Sequence, residues 1–220
     1  SSVTVGLLNA MHSFQGREVS KEQLAEEACQ IEIDILGAPI GRQDQYAASF
    51  GGVNSIRFRE NGVQVEPIEV SEGLSRKFSE NFTLVFTGLT RSASKVLSEQ
   101  SDDESDKNSR MREIRKHADE AASHIEHGDL DSLGAILNQT WISKRGVSSM
   151  VTNTQIDDLY ERVISSGALG AKLLGAGNGG FLLVYGNRQL RGILQRELGE
   201  GHRMFPLEIE FSGSSIIFGT

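Results

Sequence analysis

Residues 173–185 read LLGAGNGGFLLVY, and GAGNGG within them fits the pattern G-x-G-x-x-G. In a dinucleotide-binding turn that pattern has physical meaning only when a strand runs into the glycines and a helix leaves them. The helix N-terminus then receives the pyrophosphate. Here FLLVY follows Gly180, an apolar run rich in branched and aromatic residues that reads as a buried strand. Upstream, residues 154–170, TQIDDLYERVISSGALG, read as a helix stopped by glycine, and a short AKLL run comes next. The order is helix, short strand, glycine loop, strand. It is the wrong order for a Rossmann turn, and the loop must have another task.

Working outward, helical patterns over 110–125, 130–142 and 156–164 precede the loop, and a helix over 190–198 follows its second strand. The chain closes on LEIEF (207–211) and SIIF (215–218), both strand-like. FTLVF (82–86) is a further strand, and 87–97 read as a turn into a helix. The polar, acidic segment 98–110 lacks periodicity and is expected to be a mobile surface loop.

The first part of the chain is organised differently. Leu7, Leu8, Met11 and Phe14 form a helical apolar stripe closed by Gly16. In SKEQLAEEACQIEIDILG (20–37), Ser20 and Gln23 suggest a capping box. Leu24, Ala28, Ile31 and Ile35 line one face of that helix, and Gly37 and Pro39 end it. GRQDQYAASFGG (41–52) reads as a loop or short turn of structure between glycines. VNSIRF and VQVEPIEV then pair as a hairpin through Asn61-Gly62. No internal repeat is visible.

Composition narrows the function classes. No run of about 18 apolar residues is present, so no membrane span is expected, and no signal peptide opens the chain. The lone Cys29 excludes an internal disulfide and a CxxC metal knuckle, reads as packing, and fits a reducing cytoplasm. A formal charge of −8 with no basic face argues against nucleic acid. His117, Glu120, His124 and His127 share helical spacing that could hold a metal, but with acidic neighbours they read as a solvated helix face.

Most chemical content lies in IEIDILGAPIGRQDQYAASFGG (31–52). Glu32 falls at the edge of its helix's apolar stripe, where a carboxylate could point out of the core into a cleft. Asp44 sits between Gln43 and Gln45 among glycine and small residues. Two acids converging on one cleft suit metal binding by one and proton abstraction by the other. Spacing alone equally allows a solvated Glu and a turn-forming Asp.

Three blocks in order now resemble one family. SSVTVGLLNA at the start resembles the tail of the serine-rich phosphate loop of the GHMP kinases and the helix after it. E-x-x-x-x-G-x-x-x-G-x-x-D, from Glu32 to Asp44, resembles their metal-acid and base block, and KLLGAGNGGF their third, glycine-rich motif. Asn178 departs from the usual run of glycines there. With FTGLTRSASKVLSEQ and W-x-x-KR added, the likeness covers nearly the whole chain and sharpens toward kinases of D-glycero-D-manno-heptose 7-phosphate.

The resemblance implies an α+β fold: a partial ribosomal-protein-S5-like N-terminal domain over 1–80 and a ferredoxin-like C-terminal domain over 81–220. Asp44 would accept the proton of the anomeric hydroxyl, Glu32 would hold Mg²⁺, and Ser1 and Ser2 would lie at the ATP phosphates. Gly177, Gly179 and Gly180 would admit the sugar phosphate, with Arg91 and Lys144-Arg145 as candidate cations for its phosphate. The cleft is expected between Asp44 and the glycine loop. The composition leads to the expectation of a cytoplasmic protein with no nucleic-acid or membrane partner, and a homo-oligomer is compatible with it. In the family a longer N-terminal part precedes the serine-rich loop, so these 220 residues alone are expected to show negligible kinase activity and to expose apolar surface. Another sugar kinase of the family, for fucose, galactose or a uronic acid, and a noncatalytic module of the same fold remain alternatives.

Overall fold

The computed structural model describes residues 1–89, 104–148 and 150–218. They gather into two units, Ser1–Glu69 with Ile209–Thr220, and Val70–Glu208. Among the described residues no helix is long and apolar enough to cross a membrane.

The first unit begins with helices α1 (Ser2–Phe14) and α2 (Lys21–Cys29). Ser20 caps α2 by accepting from the Gln23 amide at 3.1 Å, but the Gln23 side chain donates to Glu27 instead of closing the box. α2 runs on without a break into a π-helical turn, Gln30–Ile35. That wider turn shifts the faces of the helix. Leu24, Ala25, Ala28 and Cys29 are buried as a helical stripe requires, yet Ile35, expected on the same face, is 70% exposed and Glu32 is buried. In α1 the buried position is Val5, which packs with Leu24 and Ala28 while Leu8 is partly covered. The expected stripe fails elsewhere: Leu7 is 59%, Met11 51% and Phe14 93% exposed. The helix is apolar on two sides, and only the side of Val5 meets α2.

Residues 41–52, expected as a loop or short turn, form helix α3 (Gln43–Phe50). No glycine or proline interrupts 42–50, and Gln45, Tyr46 and Ser49 are buried at helical spacing. Tyr46 joins Ala25 and Cys29 to the hairpin of β1 (Val53–Arg59) and β2 (Gly62–Ile68), so Cys29 is a packing residue. The hairpin pairs Arg59 with Gly62. Its two-residue turn is therefore Glu60-Asn61, one place earlier than the Asn-Gly signal suggests.

The C-terminal segment returns to this unit. LEIEF and SIIF form no strand: β6 (Met204–Pro206) stops at a proline, which has no amide to donate. Beyond it the Glu210 carboxylate accepts from the amides of Ser212 and Gly213 at 2.8 and 2.6 Å, which curls the chain into a turn. Lys21 ties that turn to α3 through the carbonyls of Phe50 and Ser212. The contact needs glycine on both sides. A Cβ on Gly51 (φ +66°) would lie 2.2 Å from the Gly213 nitrogen, and one on Gly213 (φ +67°) 2.3 Å from the Ser49 carbonyl.

The second unit holds β3 (Phe82–Phe86), β4 (Gly170–Leu173), β5 (Phe181–Tyr185) and β6 in one antiparallel sheet of order β4-β5-β3-β6. With helices between β3 and β4 and between β5 and β6, this is the split β-α-β arrangement of a ferredoxin-like domain. Helix α4 (Glu72–Asn81) belongs here too, because Phe78 stacks on Phe82 and Phe82 packs on Tyr185. The units accordingly part between Glu69 and Val70, earlier than the expected boundary at 80.

Helix α5 (Glu104–His127) takes in part of the segment expected to be a mobile loop. Residues 90–103, with the expected turn into a helix and Arg91, lie outside the described residues. α6 (Leu130–Arg145), α7 (Thr154–Ser165) and α8 (Leu190–Leu198) follow, the first two capped by Asp129 and Asn153. The sheet residues Val85, Leu173, Leu182 and Val184 form the core with Trp141, Ile156, Val163 and Leu194.

Candidate active site

Glu32 is the most heavily coordinated side chain of the first unit. Its Oε2 accepts from Ser1 Oγ at 2.9 Å and from Gln45 Nε2 at 2.5 Å, and its Oε1 from Thr4 Oγ1 at 2.6 Å. The Ser1 nitrogen lies 3.1 Å from Oε1. Burial alone would raise the pKa of this carboxyl. The Thr4 hydroxyl, the terminal ammonium and hydroxyl of Ser1, and the Gln45 amide together outweigh burial and lower it to about 2, so the group is ionised throughout the physiological range. Sequence reading placed Glu32 at the rim of an apolar stripe. The π-helical turn puts it inside, among hydroxyls and an amide.

Thr4 and Gln45 were not among the expected site residues. Thr4 sits three places after Ser1 on a helical turn, and Gln45 follows Asp44 directly, so both could have been found from their neighbours. The Gln45 Oε1 is buried without a partner among the described residues. An orphaned acceptor beside an ionised carboxylate and two hydroxyl oxygens is a hard-oxygen donor set that fits Mg²⁺. Glu32 is the carboxylate of that set, and no group of three or more His, Cys, Asp or Glu converges among the described residues.

Ser1 precedes α1 but does not cap it, because its hydroxyl is turned to Glu32. The first-turn amides of α1 thus keep their donor capacity without a side-chain acceptor. Ser2 is exposed in that first turn. Asp44 is exposed in the first turn of α3 with no hydrogen bond or ion pair among the described residues. Gln45, not Asp44, touches Glu32.

The glycine loop belongs to the second unit, where it connects β4 to β5. Gly180 donates its amide to the Leu89 carbonyl at 2.9 Å, and its own carbonyl accepts from the amide and hydroxyl of Thr87. The Asn178 amide bonds the Val151 carbonyl at 2.8 Å. Gly177 (φ +120°) is required locally, since a Cβ there would sit 2.6 Å from the Val151 carbonyl. Asn178 adopts φ 58°, the left-handed region that asparagine tolerates best among residues with a side chain. It is buried, and its Oδ1 accepts from Asn153 Nδ2, so the departure from glycine is built into the loop. Asn153, the cap of α7, had no signal beyond that role.

Of the candidate cations, Arg145 is engaged by Asp157 at 3.0 Å and stacks over Tyr160. Lys144 donates to the Gly175 carbonyl, at the entrance of the loop. On α5, His124 meets Asp129 and His127 bonds the Ser123 carbonyl.

Two family profiles match the chain: GHMP kinases N terminal domain over residues 1–52 and GHMP kinases C terminal over residues 120–201. The chain is 31% identical over 188 residues to a D-glycero-alpha-D-manno-heptose 7-phosphate kinase of Campylobacter jejuni, covering 84% of this chain and 56% of that protein. It is 34% identical over 181 residues to a mevalonate kinase of Aeropyrum pernix, covering 80% and 51%. A crystal structure of a D-glycero-D-manno-heptose 1-phosphate kinase from Bacteroides thetaiotaomicron shares the fold with a TM-score of 0.76 at 21% identity, covering 96% of this chain and 60% of that one. The chain thus spans little more than half the length of the curated relatives it matches.

Proposed function

Because this chain belongs to the GHMP kinase family, we propose that it serves an ATP-dependent kinase acting on the anomeric hydroxyl of D-glycero-D-manno-heptose 7-phosphate, toward nucleotide-activated heptose. The observation that carries the reading is the Glu32 carboxylate, kept ionised inside the fold beside the N-terminus of α1. Donors of the chain itself keep that anion charged, and the Gln45 Oε1 beside it, unpartnered among the described residues, leaves an oxygen acceptor for a cation. Phosphoryl transfer is mainly positioning and charge neutralisation. Glu32 would hold Mg²⁺, assisted by the oxygens of Ser1, Thr4 and Gln45. Bound Mg²⁺ supplies charge neutralisation at the ATP phosphates. The first turn of α1, with Ser1 and Ser2, would present its amides to phosphate. Asp44, exposed and unpaired, would orient the sugar hydroxyl and accept its proton. Gly177, Gly179 and Gly180, and Arg91, would line the acceptor.

The 34% identity to a mevalonate kinase favours a second reading, in which the acceptor is a small unphosphorylated alcohol. Measuring ADP release by a full-length enzyme that carries the family's N-terminal part, with heptose 7-phosphate, the unphosphorylated heptose, fucose, galactose and mevalonate, separates the two. The heptose phosphate should give the highest kcat/KM, and the product phosphate should be released by mild acid as an anomeric ester. A higher kcat/KM for mevalonate would replace the first reading by the second.

A further inference from the structure

Gly170 of β4 lies against α6: a Cβ on it would fall 1.9 Å from the Gly134 carbonyl and 3.3 Å from the Asn138 Cβ. Side chains alternate along a strand, so Lys172, two places on, shares that α6-facing side. From Gly134 to Lys144 the helix runs alongside the strand from Gly170 to Gly175, where the Lys144 ammonium meets the Gly175 carbonyl. Lys172 and Lys144 therefore come together between α6 and the start of the glycine loop. Both are half-buried. Neither forms an ion pair among the described residues, and Lys172 makes no hydrogen bond there either. The neighbouring cation is already spent, since Arg145 is held by Asp157 and Tyr160.

Two partly desolvated ammonium groups facing each other without a counter-charge disfavour the folded state by themselves. Burial lowers the pKa of each, and the charge of Lys172 adds to the lowering at Lys144, which falls to about 8. A net charge of −8 offers many carboxylates that could have been placed opposite them. Lysine acts as a point-charge binder of phosphate, and a dianion between two ammonium groups offsets their repulsion.

We propose that Lys144 and Lys172 form a subsite for a phosphate dianion, that of a phosphorylated sugar acceptor, at the root of the glycine loop. Lys172 carries no structural bond that the phosphate would have to replace. Lys144 couples the subsite to the loop, because the same ammonium holds the Gly175 carbonyl. The assignment rests on the reading above of a phosphorylated sugar as the acceptor, and it differs from the sequence expectation by exchanging Arg145 for Lys172.

The test is calorimetric binding of heptose 7-phosphate, the unphosphorylated heptose and ATP to the wild type and to Lys172→Met, Lys172→Arg and Lys144→Met, with thermal melts to show that each folds. Lys172→Met should weaken the phosphorylated sugar about 10-fold or more, leave the unphosphorylated sugar and ATP within about 2-fold, and be partly rescued in Lys172→Arg. Lys144→Met should show the same selectivity. Equal weakening of both sugars would make the lysines structural only and overturn the proposal. Selective weakening of ATP would assign the pair to the donor phosphates and overturn it as well. An unchanged profile in both variants does the same. Loss of phosphosugar binding in the variants, with no turnover of that sugar by a full-length wild-type enzyme carrying the family's N-terminal part, would sink the functional reading and keep the subsite. Full turnover with unchanged selectivity would do the reverse.

Discussion

Glu32 and the Lys144–Lys172 pair are both partly buried charges, but the fold treats them in opposite ways. Around Glu32 a hydroxyl from each of Ser1 and Thr4, the Ser1 ammonium and the Gln45 amide converge, and the acid is lowered to about 2. Among the described residues the lysines have one carbonyl partner and no carboxylate, and Lys144 falls to about 8. The first charge is made permanent by its own protein. The second is left to be balanced from outside. The contrast teaches that burial alone does not fix a charge state; the number of matching partners does.

The largest effect should come from a residue that belongs to neither arrangement. Asp44 is exposed and unpartnered among the described residues, so Asp44→Asn removes only a first-turn charge that favours the α3 dipole by roughly a few tenths of a kcal/mol. Its melting temperature should match the wild type within about 2 °C, since surface substitutions of this kind lie within about 0.5 kcal/mol. If Asp44 is the proton acceptor, kcat of the full-length enzyme falls about 10²–10⁴-fold with little change in KM. A variant of full activity would remove Asp44 from the chemistry and leave Glu32 as the sole functional acid.

Glu32→Gln sharpens the comparison from the other side. The amide keeps the shape but turns one acceptor oxygen into a donor that faces Ser1, Gln45 or Thr4. Such a clash among buried polar groups should cost about 1–3 kcal/mol, read as a lower denaturation midpoint at unchanged slope. In kinetics the Mg²⁺ concentration for half-maximal rate should rise, because a ligand is weakened and the proton acceptor is untouched. Rescue of Asp44→Asn, rather than Glu32→Gln, by excess Mg²⁺ would show the two roles to be exchanged.

Much of this was legible in the residues, and the failures have physical causes. The glycine loop between two strands, the hairpin near Asn61 and the helices from α6 to α8 follow from turn chemistry and period alone. The π-helical turn has no residue signature of its own, so Glu32 read as a rim residue and Ile35 as core. α1 is apolar on two sides, and no single-sequence argument says which side another element will cover. Segment 207–211 alternates like a strand, but Glu210 captures its own downstream amides and the pairing never forms. Lys172 was invisible for a different reason. Its partner lies on another element, and only the packing of Gly170 on α6 reveals the shared side.

The smallest expected effect is a stability difference that changes with pH. Lys144 has its ordinary value of 10.5 in the unfolded chain and about 8 in the folded one, with Lys172 as the charged group facing it from β4. Below about pH 8 both states hold the proton, and the folded state bears the full penalty of a desolvated, repelled ammonium. Between about 8 and 10.5 the unfolded chain keeps a proton that the folded chain has shed, so stability rises with pH across that window. Lys144→Met removes the titration. Relative to wild type it should be most favourable below pH 8 and lose that advantage as pH climbs toward 10.5. Each full pKa unit corresponds to about 1.36 kcal/mol, but partial exposure screens the group, and the bond to Gly175 is lost in the variant. The absolute difference at pH 7 is therefore small, on the order of 1 kcal/mol, and the slope of the difference is the better measure. Urea midpoints for both proteins from pH 7 to 10.5 give that slope. Parallel curves would mean that the Lys144 charge is not penalised, and the opposition between the two buried charges would then collapse.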